Sequence, residues 1–270
     1  MVNIIEVLSR YDGVARAKHL AAAGVSDFQL KAAMSSGVVA RVSRGVYALP
    51  GADALLVAIR SLPAEPACVT AAQFQQGLWV LEAPAWPHIA LTHSRRYEGF
   101  VCHRSAAPPT LMDSVVQSLR CLPDLDGLVI AESAVVLKGL PLSGLRRRLD
   151  GRNDARARRI VAGIVPQSQS IIECMARFLL RRAGFHVESQ VNVPGMGHLD
   201  LMVDGRLGIE TDGAGFHMDR TSFEEDRRRW NVTTRLGIPT LVVSYPLLRN
   251  RPEEFIAMVH DTLDRLSAAA

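Results

Sequence analysis

The spacing of hydrophobic and polar positions changes several times along the chain, and each change predicts a new element. Ile4, Ile5, Val7 and Leu8 carry helical spacing, and residues 15–23 read as a second helix. Past the break at Gly24, either Ser26 or Asp27 is placed to cap a third helix that runs to about Ser36. Two β-rich runs come next, 38–42 and 45–49, joined through Ser43-Arg44-Gly45, where the glycine is free to take a positive φ. Three helices and a hairpin predict a winged helix-turn-helix. Its third helix offers Asp27, Gln29 and Lys31 to the major groove, while Arg41 and Arg44 on the wing reach phosphates or the minor groove. A small helical domain used for protein contacts is the competing reading, and DNA binding is preferred to it.

Residues 52–62 and 67–78 have helical patterns, and 88–92 and 99–103 have strand character. His88, His93, Arg95, Arg96, His103 and Arg104 are interspersed there, without ligand spacing, and are read as exposed β positions in preference to the lining of a groove. The apolar-poor stretch 146–159 predicts a linker or a solvated helix. From Ser168 the pattern becomes α/β. Ser168 or Ser170 precedes a helix closed by Gly184, with Ile172, Met175, Ala176 and Leu179 on its apolar face and Glu173 near its start. Strands at 187–193, 198–203, 207–211 and 240–244, with a basic helix at 222–236, complete an α/β/α core. The expected fold class is multidomain, α+β and α/β: a winged helix at 1–50, a mixed α/β middle domain at 51–150, a basic linker at 151–167 and the α/β/α core at 168–270.

Composition narrows the class. With 48% apolar and 21% charged residues among 270, the chain can bury real cores, which excludes a disordered or collagen-like protein. No apolar run approaches the roughly 18–20 residues that span a bilayer, and the first ten residues do not read as a cleaved leader, so a cytoplasmic protein with no membrane partner is expected. Cys68, Cys102, Cys121 and Cys174 are widely separated and form no CxxC or Cys/His pair, so reduced thiols are expected, with neither a zinc knot nor disulfides. Net charge is only +4, but residues 1–50 hold six Lys/Arg against three acids, and 146–182 ten Arg against three. Clusters of one sign fit a nucleic-acid partner as well as they fit solvated faces.

The acids of the last domain are placed unusually. Asp200 interrupts the apolar run HLDLMV, and Glu210 and Asp212 interrupt LGIETDG. Carboxylates brought together in a sheet repel unless a cation compensates them, so a divalent metal and surface ion pairs with the neighbouring arginines are rival explanations. Asp200 and Glu210 share a face only if Asp204-Gly205-Arg206 forms a three-residue loop or the hairpin carries a bulge.

Two resemblances extend this reading. Gly24-Val25-Ser26, Leu30 and the string RVSRGVYAL within 37–49 resemble the winged-helix start of AbiEi-type antitoxins, and VTAAQFQQGLWVL at 69–81 is similar to the alanine-rich helix and Gly-Leu step of such proteins. That resemblance implies a DNA-binding first module, often autoregulatory, and implies no enzyme. Glu173, Asp200 and Ile209-Glu210-Thr211-Asp212-Gly213 followed by His217 resemble the PD-(D/E)XK nuclease superfamily, within it the branch related to very-short-patch-repair endonucleases. Asp226-Arg227-Arg228-Arg229 and Leu236-Gly237-Ile238-Pro239 extend that likeness over 168–248. The resemblance implies a restriction-endonuclease-like core that hydrolyses DNA phosphodiesters with Mg²⁺, Mn²⁺ being able to substitute. On this reading Asp200 and Glu210 are direct ligands and the Thr211 carbonyl a third, while Glu173 and Asp212 hold metal-bound waters or a second ion. Gln190 orients the water. His217 is either a proton donor or base, or a satisfied histidine at a strand exit. Arg227, Arg228 and Arg229 are phosphate contacts. Asp212 stands where the superfamily has a lysine. Retention of all four acids favours a metal-dependent endonuclease in a defence, repair or toxin–antitoxin setting; loss of the lysine favours the alternative, a non-catalytic DNA-binding regulator or antitoxin with a degenerate nuclease-like domain. DNA is the expected partner, and a homodimer and a cognate toxin or defence partner are left open.

Overall fold

The computed structural model describes residues 2–105, 109–212 and 220–268, with the side chains of 220–227 left out. The chain divides into two compact units, Met1–Leu122 and Pro123–Ala270. Both mix helices with small sheets.

The first unit begins with α1 (Ile4–Ser9), β1 (Val14–Arg16), α2 (Ala17–Ala22), α3 (Asp27–Ser35), β2 (Ala40–Ser43) and β3 (Val46–Ala48). Ser26 caps α3 through a reciprocal box. Its hydroxyl accepts from the Gln29 N–H at 3.2 Å, and Gln29 Oε1 accepts from the Ser26 N–H at 2.9 Å. Val7, Leu8, Leu20, Leu30 and Val39 close a core between the three helices. The second helix begins two residues later than the sequence pattern suggests. Val14–Arg16 is extended and pairs antiparallel with β3, giving the sheet order β1-β3-β2, because there Val14 is fully buried beside Val46, Ala48 and Leu56 while Ala15 is fully buried in the core between the helices.

The unit continues with α4 (Ala54–Ser61), β4 (Ala64–Pro66), α5 (Cys68–Phe74), β5 (His88–Leu91), β6 (Val101–Arg104) and α6 (Leu111–Cys121). Strand β5 is central, antiparallel to β4 and parallel to β6. Two arginines bind this part to the first fifty residues. Arg16 donates to the carbonyls of Arg60 at 3.0 Å, Ala64 at 2.6 Å and Leu62. Arg60, 1% exposed, donates to the carbonyls of Tyr11 and Val14 and pairs with Glu65 at 3.4 Å and Asp12 at 3.6 Å. A buried guanidinium is tolerable only with that many partners. The break expected near residue 50 is therefore bridged by polar contacts as well as by Leu56, which packs on Val14, Val46 and Ala48.

The second unit runs α7 (Asp124–Lys138), α8 (Leu142–Arg148), a 3₁₀ turn at Arg152–Asp154, α9 (Ala155–Ala162), α10 (Ile171–Arg182), β7 (Val187–Val193), β8 (Gly197–Val203), β9 (Leu207–Asp212), α11 (Arg220–Arg235), β10 (Thr240–Ser244), α12 (Tyr245–Asn250) and α13 (Pro252–Ala268). The stretch expected to be a linker at 151–167 is instead structured. Its arginines face outward, while Ala157, Ile160 and Val161 are buried and α9 packs on α7. Residues 123–150 also belong to this unit, because Glu132 of α7 and Arg177 of α10 form a fully buried two-oxygen ion pair, supported by the Val165 N–H at 2.9 Å to Glu132 and by Ser168 at 3.4 Å from Arg177. The sheet order is β10-β9-β8-β7, a three-stranded antiparallel meander with β10 added parallel to β9, and α10 packs against it.

Candidate functional site

The acids singled out in the sequence meet on this sheet. Strands β8 and β9 pair Val203 with Leu207 and Leu201 with Ile209, so Asp204-Gly205-Arg206 is a three-residue loop. Asp204 and Gly205 turn it with φ of 49° and 65°. Carried one residue further, that register sets Asp200 opposite Glu210. The β7–β8 ladder pairs Ser189 with Leu201 and Val191 with Leu199, so Gln190 stands opposite Asp200 on the other side. Gln190, Asp200 and Glu210 thus form one row across three strands.

Each member is fixed by hydrogen bonds. Asp200 Oδ2 accepts from the Thr211 N–H at 2.8 Å and the Thr211 hydroxyl at 2.7 Å. Glu210 accepts from Arg229 of α11 through both carboxylate oxygens, at 2.9 and 3.0 Å, and from the Asp200 backbone N–H. Glu173, only 2% exposed, comes from the first turn of α10, where Ser170 Oγ accepts its N–H at 3.1 Å. Its carboxylate accepts from the Gln169 N–H at 3.2 Å and from Gln190 Nε2 at 2.7 Å. Gln190 reaches it from a left-handed backbone, φ 54°, which is strained for a residue bearing a Cβ, and Gln169 Nε2 holds the other end of that amide at 3.0 Å.

The electrostatics bring the same acids together. Burial, then the Asp200 charge, pushes the Glu173 carboxyl above its ordinary 4.5, against hydrogen bonds from Gln169, Gln190 and Ser170. Burial and Asp200 likewise raise Glu210, against Arg229. Asp200 lies within electrostatic reach of both Glu173 and Glu210, and two carboxyls that resist ionisation beside a third offer hard oxygen donors of the kind a divalent cation takes.

The other expected site residues fall in different places. Asp212 ends β9, exposed, and takes no part in the hydrogen bonds that fix Glu173, Asp200 and Glu210. His217 and the Arg227 side chain lie outside the described residues. Arg228 and Arg229 were expected to reach phosphates; Arg228 stays exposed and Arg229 is half-buried, and both guanidinium groups donate to the protein's own carbonyls. Arg228 donates to the Gly195 carbonyl at 2.6 Å, and Arg229 to the carbonyls of His198 at 2.9 Å and Met196 at 3.3 Å as well as to Glu210. The tight β7–β8 turn presents carbonyls at that point, and the guanidinium groups satisfy them.

In the first unit, Lys31, Arg41 and Arg44 are exposed. Gln29 is not a free reader of bases: its side chain closes the α3 capping box and donates to the Val2 carbonyl at 3.2 Å. Phe28, missed in the sequence because an aromatic at the start of a helix reads as core, is 81% exposed on α3, three residues before Lys31. The middle histidines also depart from expectation. His88 is 4% exposed, enclosed between β5 and the helices beside it, while Arg95, Arg96 and Arg104 are exposed.

A family described as "Transcriptional regulator, AbiEi antitoxin" matches residues 3–50. No curated protein matches the chain. No helix among the described residues is long and apolar enough to cross a membrane.

Proposed function

We propose that this chain is a DNA-binding protein with an antitoxin-regulator-like start, and that its second unit hydrolyses DNA phosphodiesters with Mg²⁺. The observation that carries the enzymatic half is the convergence of Glu173, Asp200 and Glu210 around a strained Gln190. The order of these residues along helix and meander resembles that of a PD-(D/E)XK nuclease core. The DNA-binding half rests on the regulator family at 3–50 and on the exposed Phe28, Lys31, Arg41 and Arg44, which suit apolar contact with thymine methyls and pairing with phosphates.

Asp200 and Glu210 would hold the ion, with Glu173 beside them. When bound, the ion supplies neutralisation of charge on the phosphoryl and leaving oxygens. The chain's own groups then have separable tasks. Thr211 fixes the Asp200 carboxylate through two donors, leaving Oδ1 for a ligand. Gln190 and Gln169 hold Glu173 where it can accept from a water. Arg229 stands where a positive charge is needed, within hydrogen-bond reach of Glu210, and takes over the role that the superfamily lysine leaves vacant at Asp212.

One observation favours the rival reading, a regulator with no hydrolytic step. Arg229 already compensates Glu210 through two hydrogen bonds, so a cation is not required to hold that acid in place. The experiment is cleavage of supercoiled, linear, single-stranded and mismatched DNA by the full chain with Mg²⁺, Mn²⁺ or chelator, beside Asp200→Asn. Metal-dependent cleavage lost in Asp200→Asn, with DNA affinity kept, is expected. A wild-type chain that binds DNA and cleaves none of the four makes the regulator the correct reading.

A further inference from the structure

Four side chains that the hydrolytic site does not use meet in the first unit. Cys68, His88, His103 and Cys121 each bring one ligand atom into a cluster in which all four lie within 4.8 Å of one another. They come from four elements. Cys68 is the first residue of α5, Cys121 the last of α6, and His88 and His103 lie on β5 and β6. The parallel β5–β6 register pairs His88 with Val101 and Ala90 with His103, so the two histidines project from one face of the sheet, two positions apart. His103 has the small Ala90 beside it, which leaves room for both rings.

The dimensions come within about 1 Å of those of a tetrahedral metal centre. With bonds of about 2.3 Å to sulfur and about 2.0–2.1 Å to nitrogen, the edges of such a tetrahedron are roughly 3.3–3.8 Å. His88 Nδ1 lies 3.0 Å from His103 Nε2, and Cys121 Sγ lies 3.9 Å from His88 Nδ1. The surroundings hold the ligands in place. The His88 N–H donates to Thr70 Oγ1 at 2.8 Å, the Cys68 N–H to Gln117 Oε1 at 3.0 Å, and the Ser118 hydroxyl points at Cys68 Sγ at 3.4 Å. Cys68 itself is held at φ 48°, a left-handed backbone that a non-glycine residue adopts only under constraint from its surroundings.

We infer that Cys68, His88, His103 and Cys121 bind one structural Zn²⁺ that fastens α5 and α6 to the β5–β6 sheet. Two thiolates and two imidazoles select zinc over the hard cations suited to the carboxylate site, and four protein ligands leave no open position for catalysis. Cys121 is exposed, which gives the ion a way in, whereas Cys68 and His88 are buried. The ligands are spread over 54 residues, from 68 to 121, so no short-range spacing reveals them.

The test uses the full chain, purified in reductant and analysed for metal, then stripped and refilled with Co²⁺ alone. About one zinc per chain is expected, together with the visible d–d and thiolate-to-cobalt absorption of a tetrahedral S₂N₂ site. Cys121→Ser and His103→Gln, both at the less buried rim, should lower the affinity for either ion at least about tenfold, while Cys102→Ser and Asp200→Asn keep it. Chelation should lower the melting temperature of the wild type, and that of Cys121→Ser by less. Reduced protein that takes up neither zinc nor cobalt, or a bound ion whose affinity is unchanged in both rim variants, overturns the proposal. A Cys68–Cys121 disulfide that, once reduced, still excludes metal does the same.

Discussion

The row Gln190, Asp200, Glu210 separates what single residues declare in the sequence from what they do not. The two acids stood out because a carboxylate in an otherwise apolar strand needs a reason. Their shared face depended on a loop length that the string Asp204-Gly205-Arg206 allowed without requiring. Arg229 was legible only as one of a run of cations, since the carbonyls that capture it belong to a turn some thirty residues earlier in the chain. The energetic signature of the cluster is its response to pH. Glu173 and Glu210 hold their protons more tightly folded than at the ordinary 4.5. The stability that comes with the bound proton is fully present below 4.5 and is lost as pH rises through the raised folded value. In chelator, Glu173→Gln therefore gains stability over wild type as pH climbs above 4.5, and the difference levels off once pH has passed the raised folded value. Urea denaturation across this range measures it, with Mg²⁺ expected to reverse the order at neutral pH by stabilising wild type more. A difference that does not change with pH would mean that neither burial nor the Asp200 charge raises the Glu173 carboxyl in the folded chain.

At the scale of elements, local signals served well where a cap or a turn residue marks an end. Ser26 starts α3, Ser170 starts α10, and Gly184 closes off α10, much as the pattern suggested. They failed at β1, whose three residues are extended because β3 is there to pair with, and at α9, whose few apolar residues sit among arginines. The capping box also reassigns work within α3. Gln29 spends its side chain on the Ser26 backbone and on Val2, so it stabilises the helix that Phe28 and Lys31 use. Gln29→Ala should cost about 1 kcal/mol of stability and leave the salt dependence of DNA affinity unaltered. Lys31→Ala or Arg44→Ala should each reduce the slope of log affinity against log salt by about one and leave stability within about 0.5 kcal/mol. Fluorescence anisotropy titrations at several salt concentrations, beside thermal melts, distinguish the two classes. A Gln29→Ala protein of full stability and altered slope would return that residue to the groove.

For the whole molecule, the division of the chain is made by contacts that no local pattern reports. Arg16 and Arg60 join residues 1–50 to the rest of the first unit, and the Glu132–Arg177 pair joins 123–150 to the sheet unit. The composition changes near residue 50 and a charge run lies near 150, and the sequence pattern places boundaries there. The folded chain divides at Leu122 instead. Long polar side chains that satisfy distant carbonyls carry no periodicity, so the elements were legible while their grouping was not. Fragments should feel the difference. Ending the chain at Pro50 strips Leu56 from the cluster of Val14, Val46 and Ala48, deprives Arg16 of its three carbonyl acceptors, and removes Arg60 from the carbonyls of Tyr11 and Val14. Losing one buried leucine contact costs about 2–5 kcal/mol, close to the roughly 3–5 kcal/mol that the core of so small a domain supplies in total. Residues 1–50 alone should therefore melt without a cooperative transition, whereas 1–122, which keeps every one of these contacts together with Cys68, His88, His103 and Cys121, should unfold in a single transition and still bind DNA. Circular dichroism melts of the two fragments decide it: a 1–50 fragment as stable as 1–122 would mean that the two arginines decorate the junction and do not hold it.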